Sequence, residues 1–240
     1  MKRKIITILC IIGIWQVMAL MIHKEVILPL PLYVFERMFV LASTSLFYDA
    51  ILSTLYRVVI SFIIAFLLGT MLGILSGLYQ SVKDYLNPII SFLQTVPQIA
   101  YILILLVWFQ STVALIIIIL LMILPVFYYN AMQGIESIQN EYLDIMKVYY
   151  QSLTYHLLHV YIPLMKGYLI SAIQTCLPLA LKVGVMAEIF VSSKQGIGKQ
   201  LYFARIQIDM ISIFAWVLWM VVIIGFITFV FNKLFKKQDF

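Results

Sequence analysis

Apolar residues in this chain gather into six long runs separated by three polar segments. The runs fall near residues 5–23, 55–79, 86–108, 113–132, 164–191 and 210–232. Each approaches the roughly 20 residues that a helix needs to cross the hydrocarbon core of a bilayer. The polar gaps are residues 24–54, 133–163 and 192–209. This pattern predicts an all-α membrane protein of six transmembrane helices, a single transmembrane domain over residues 1–240. Within it, residues 5–23 form the N-terminal span and residues 50–235 the core. The opening M-K-R-K and the apolar run behind it have the charge order of a signal peptide. The length of the run and the lack of a small-x-small cleavage site instead predict an uncleaved first span.

The gap at 133–163 is the most informative. Asp144, Lys147, Gln151, His156 and His159 make it too polar to span a membrane. Ile145, Val148 and Tyr149 nonetheless share one helical face with Leu143 beside them, while Asp144 and Lys147 lie elsewhere, which predicts a short amphipathic helix over 141–150. Ser152 is a candidate cap for a second helix, in which Leu153, Leu157 and Val160 recur at helical spacing until Pro163. Two short helices joined at a turn form a knob of the size that fits a groove on a soluble partner. A hairpin lying flat on the membrane surface is the alternative.

Composition and charge narrow the class. Hydrophobic residues make up 64% of the 240 residues and charged residues 11%, and the mean hydropathy is +1.07. These values exclude a soluble domain. With the N-terminus in the cytoplasm, the inner side carries nine basic residues: Lys2, Arg3, Lys4, Lys83, Lys147, Lys166, Lys233, Lys236 and Lys237. The outer side carries five: Lys24, Arg37, Lys194, Lys199 and Arg205. The excess predicts that orientation. It also accounts for the net charge of +6 and leaves no basic stripe for nucleic acid. No metalloprotease, hydrolase or nucleotide-loop signature occurs. Q-G-I-G-K-Q at 195–200 lacks the first glycine and the final Ser or Thr of a phosphate loop. The chain is expected to be non-catalytic and to hold no cofactor of its own. Cys10 and Cys176 fall within spans as packing residues, and His156 and His159 have no carboxylate at metal-ligand spacing.

Within the spans, Gly69, Gly73 and Gly77 repeat every fourth residue and form a flat strip on which another helix backbone can rest, inside the protomer or at a dimer seam. Pro97, Pro125 and Pro178 predict kinks. Gln94, Gln98 and Gln174 lie close to them, lining a path or bonding between helices. Lys182 and Glu188 each cost on the order of 3 kcal/mol near a helix centre. They are candidates for the path or its outer gate; alternatively, Lys182 snorkels and Glu188 reaches the interface.

Residues 144–163 resemble the EAA loop of binding-protein-dependent ABC importer permeases: Asp144 stands at the Glu, Ile145 and Met146 at the two alanines, and Tyr150 at the Gly. Val160, Ile162 and Pro163 take the Ile and Leu-Pro positions without a gap. Tyr150 for glycine disfavours a left-handed turn there by about 1–2 kcal/mol. Further landmarks are L-P-L-P-L at 28–32, T-L-Y-R at 54–57, L-N-P-I at 86–89, T-V-P-Q-I-A at 95–100, V-W-F at 107–109, A-E at 187–188 and G-I-G at 196–198. Their order is similar to that in the nitrate, sulfonate, taurine, bicarbonate and thiamine-precursor branch of type I permeases. The resemblance implies a MetI-like core with a cytoplasmic coupling loop at 133–163, in which Asp144, Ile145, Met146, Val148, Tyr149, Tyr150 and Pro163 couple to an ATPase. It implies a multi-pass subunit of a bacterial cytoplasmic membrane, paired with a second permease copy as a homodimer. Its other partners would be two cytoplasmic ABC ATPase subunits that bind ATP and Mg, and an extracellular solute-binding protein. The solute would be small, and Lys182 hints at an anion. An ion-coupled secondary transporter is the alternative.

Overall fold

The computed structural model describes residues 2–139, 142, 152–191 and 193–235. Every regular element in them is helical. In chain order these are α1 (Lys2–Ile22), α2 (Pro31–Ala42), α3 (Ser45–Leu78), α4 (Gln80–Thr95), α5 (Gln98–Trp108), α6 (Ser111–Glu136), α7 (Leu153–His156), a π turn (Leu157–Tyr161), α8 (Ile162–Val191), α9 (Ile197–Ile206) and α10 (Met210–Phe235).

Among the described residues, four stretches are long and apolar enough to cross a membrane: α3, α6, Leu157–Val191 and α10. A fifth is obtained if α4 and α5 count as one broken span. The N-terminal run contributes a shorter apolar helix, Ile6–Ile22. The six expected spans therefore appear as four or five, and the run at 86–108 is corrected: α4 and α5 meet at 98°. Pro97 causes the break, because its ring drives Val96 out of the helical region. Both residues are extended, Val96 at φ −71°, ψ 127° and Pro97 at φ −57°, ψ 133°. Pro125 and Pro178 lie inside helices that continue past them.

Two of the gaps hold helices that a search for spans passes over. Residues 24–54 contain α2 and the first turns of α3, whose start is capped by Thr44 Oγ1 accepting from the Phe47 N–H at 3.3 Å. At 34 residues, α3 is about 51 Å long, well beyond the ~30 Å hydrocarbon core. Residues 192–209 contain α9. These pieces close one end of the bundle around Val34, Leu41, Phe47, Val185, Ile197 and Trp216. Phe47 stacks on Trp216 with centroids 5.5 Å apart, and the Trp219 indole donates to the Met38 carbonyl at 3.1 Å.

The core is a sandwich of α3, α6 and α8. Ser61, Ala65, Gly69, Gly73 and Gly77 run down one face of α3 at four-residue intervals against α6. A Cβ at Gly69 would lie 2.7 Å from Phe127 Cβ, and one at Gly77 would lie 2.6 Å from Ile135 Cβ. Of the two seams open to the glycine strip, it is the one inside the protomer that forms. Fully buried Phe127 fills the space beside the small residues, its ring edge-on to Phe62 and Phe66.

Ser152 caps the helix that follows, its Oγ accepting from the Tyr155 N–H at 3.3 Å. Pro163 marks the entry to the fifth apolar run, and the helix passes into it without a break. It widens into the π turn and continues as α8, the Ile162 N–H reaching back five residues to the Leu157 carbonyl. Pro163 has no N–H to offer and its ring crowds the carbonyl four residues earlier, so the helix absorbs one extra residue instead of breaking.

Candidate functional site

Three landmarks that are far apart in the sequence, T-L-Y-R, A-E and G-I-G, meet in one buried knot. Glu188 is 1% exposed and Arg57 7%. The Arg57 guanidinium donates twice to Glu188 Oε1, from Nε at 3.2 Å and Nη2 at 2.5 Å. Nη2 also donates to the Gln195 carbonyl at 2.7 Å. Thr54 Oγ1 donates to the same carboxylate at 2.9 Å and accepts from the Ile197 N–H at 3.0 Å. The Gly198 N–H reaches Oε2 at 2.8 Å. No buried side-chain polar atom of the knot is left without a partner, the condition under which a buried charge pair is tolerated. Gly196 lets the chain pass above it at φ 144°. A Cβ there would stand 2.6 Å from Glu188 Cδ and 2.7 Å from Arg57 Nη2. The knot ties α3, α8 and α9 together.

Lys182 was paired with Glu188 as a candidate gate, but the two do not meet. Six positions earlier on α8, Lys182 lies on the exposed side, and it has no hydrogen-bond or ion-pair partner among the described residues. It continues a strip along α8 that includes exposed Ser171, Gln174 and Thr175, with Pro178 between. Gln174 Nε2 donates to Asn232 Oδ1 of α10 at 2.9 Å. In a helix otherwise as apolar as α8, such a strip is costly against lipid and marks a face turned to protein or water. Gln94 is exposed on the last turn of α4. Gln98 opens α5, and its buried side-chain Nε2 has no hydrogen-bond partner. The α4–α5 corner is braced by the Tyr101 hydroxyl donating to the Leu93 carbonyl at 2.9 Å.

Of the expected docking segment, Asp144, Ile145, Met146, Val148, Tyr149 and Tyr150 lie outside the described residues. Pro163 sits in the first turn of α8 behind the π turn. His159 is exposed and stacks on Tyr155 at 4.3 Å, and no group of three or more metal-ligating residues occurs among the described residues.

Sequence reading missed Arg57 as half of the knot, took Lys83 only as an inner-side charge, and missed Ser91, Tyr128, Tyr129 and Glu136 altogether. Arg57 carried a usable signal: an arginine at the start of an apolar run needs a partner, and Glu188 is a carboxylate inside another such run. The remaining five gave none. A family model described as binding-protein-dependent transport system inner membrane component matches residues 65–237. No curated protein matches the chain.

Proposed function

The chain belongs to the family of binding-protein-dependent transport system inner membrane components, and on that footing we propose that it moves a small, negatively charged solute into the cell as the permease of an ATP-driven importer. By membership it is a multi-pass permease component of an ABC transport system that works with an ATPase and a binding protein. In the finer reading, two copies form the membrane unit in a bacterial cytoplasmic membrane, with α1 as the sixth span. Two ATPases dock on residues 133–163, and an extracellular binding protein delivers the solute. ATP closes the ATPase pair, the docked segments follow, and the broken and kinked helices pass from inward-open to outward-open.

The observation that supports this reading is the exposed polar strip of α8, Ser171 to Lys182, in which Gln174 bonds to Asn232 of α10 while Ser171, Thr175 and Lys182 stay exposed. A second copy across that face would enclose the strip and turn Lys182 toward the space between them, where a fixed positive charge attracts anions. Lys182→Met is expected to lower uptake of the solute carried by the binding protein by about tenfold, the lower end of what a focused charge contributes to association. The amount of assembled complex should not change. Unchanged uptake would remove Lys182 from the path.

The docking assignment has its own test. Ile145, Val148 and Tyr149 would anchor the contact, each contributing roughly 1.5–3 kcal/mol on full burial before ordering costs. Ile145→Asp or Val148→Asp is expected to leave the permease inserted and to abolish recovery of the ATPase in a detergent pull-down, whereas Gln139→Ala changes little. An undiminished ATPase yield from both aspartate variants would sink the assignment. Uptake that persists without any ATPase would favour the ion-coupled alternative.

A further inference from the structure

Helix α4 is held to the bundle in an unusual way. Of its 16 residues, Ile90 alone is buried, and Leu86 and Leu93 pack half-buried against the same core. Beside them, three polar side chains spaced four apart on one face, Lys83, Asn87 and Ser91, reach across to α6. Lys83 Nζ lies 2.7 Å from Glu136 Oε1. Asn87 Oδ1 lies 2.9 Å from the buried Tyr128 hydroxyl, which also stands 3.0 Å from Ser76 Oγ of α3. Ser91 Oγ lies 2.9 Å from the Tyr129 hydroxyl. These contacts form a ladder of three rungs between α4 and the last three turns of α6.

The two seams on α6 differ in kind. The glycine seam with α3 brings the two helix backbones into close contact. The ladder consists of one partly exposed ion pair, with side chains 26% and 39% exposed, and two hydroxyl contacts. An exposed ion pair and a neutral hydrogen bond each contribute little net stability. Such contacts specify one position for α4 and can part and re-form. Pro88 removes a backbone bond from the middle of α4, and the 98° corner with α5 lies at its far end. Glu136, the end rung, is the last residue of α6 and directly precedes the stretch that leads to residues 144–150.

We propose that the rungs Lys83–Glu136, Asn87–Tyr128 and Ser91–Tyr129 form a releasable latch that carries movement of the docked segment to the α4–α5 corner. The proposal rests on the reading that residues 144–150 dock an ATPase, and it adds which residues transmit the motion. With the latch engaged, α4 follows α6. Once it is released, α4 swings about Val96 and Pro97 while α3, α6 and α8 stay together as one body.

The test uses the purified permease–ATPase complex with Cys10→Ser and Cys176→Ala as background. Lys83→Cys/Glu136→Cys is treated with a short bis-methanethiosulfonate reagent, without nucleotide and after trapping with ATP, Mg2+ and vanadate. Cross-linking yield is expected to differ by about fivefold or more between the two states. The closed cross-link should arrest ATP-driven transport until dithiothreitol opens it. Ser91→Cys/Tyr129→Cys, at a second rung, is expected to behave in the same way. A fixed structural brace would give equal yields in both states at both rungs, and that result would overturn the latch. Failure of the unsubstituted chain to hold an ATPase would overturn the docking reading and the latch with it. An assembled complex whose cross-linking ignores nucleotide would overturn the latch alone.

Discussion

Glu188→Gln is expected to leave little folded protein. The substitution removes the charge that neutralises Arg57 and puts an amide N–H2 in place of one oxygen, either Oε1, which accepts from Arg57, or Oε2, which accepts from the Gly198 N–H. One donor must then face another at a site where Glu188 is 1% exposed. Breaking a buried pair from one side costs about 3–5 kcal/mol, a large share of the ~5–15 kcal/mol that holds a typical protein together. Arg57→Met should be comparably harmful, since it strands the carboxylate. Arg57→Met/Glu188→Met should recover part of the loss, because neither charge then remains buried alone. Recovery will be incomplete: the Gly198 N–H loses its acceptor, at about 1–3 kcal/mol. The monodisperse yield and thermal midpoint of the four proteins in one detergent provide the measurement. A double variant no better than the worse single one would show that the ion pair is not what holds this end of the bundle.

Gly73→Leu is expected to be as damaging for a steric reason. A Cβ at residue 73 would lie 2.7 Å from Ala131 Cβ and 3.1 Å from the Met132 nitrogen, and it would press on the Tyr128 carbonyl. Two of those three atoms are backbone and cannot rotate away, so α3 and α6 would have to separate along the whole seam. Overpacking a well-filled core costs about 1–3 kcal/mol where side chains can adjust, and more where they cannot. Gly225 on α10 is the control, with nothing within 4 Å of its added Cβ. Gly225→Ala is expected to be neutral, or stabilising by up to about 1 kcal/mol as alanine replaces glycine in a helix. Size-exclusion profiles of the two variants after solubilisation should differ sharply, and similar profiles would mean that the seam tolerates separation.

Much of this was legible along the chain because it depends on local pattern. The apolar runs mark α3, α6, α8 and α10, and the four-residue glycine spacing marks a close-packing face. Pro97 marks a break. The size of that break was not legible, since a proline dictates a departure from the helix but its neighbours decide the angle. The helices α2 and α9 escaped because they are mixed in character, P-L-Y-V-F-E-R-M-F-V-L-A and I-G-K-Q-L-Y-F-A-R-I. Read for span length, both look like loop. The grouping of Lys182 with Glu188 failed because closeness along a helix says little about facing: six residues turn the side chain by about 240°, to the other side of the helix.

By itself the sequence determined the solvent and the material. A chain this apolar can satisfy its backbone in lipid only by forming helices, and the order of short motifs along it was enough to indicate a family of transport permeases. Tertiary structure alone decided which polar groups meet. Arg57 and Glu188 are 131 positions apart, and Lys83 and Glu136 are 53 apart. The spacing of such groups in sequence carries no trace of the pairing, because a hydrogen bond is set by angstroms in space and the route between its ends by the packing of every helix in between. The glycine seam brings α3 against α6, and that approach fixes where Tyr128 and Glu136 stand for α4 and where Arg57 stands for Glu188.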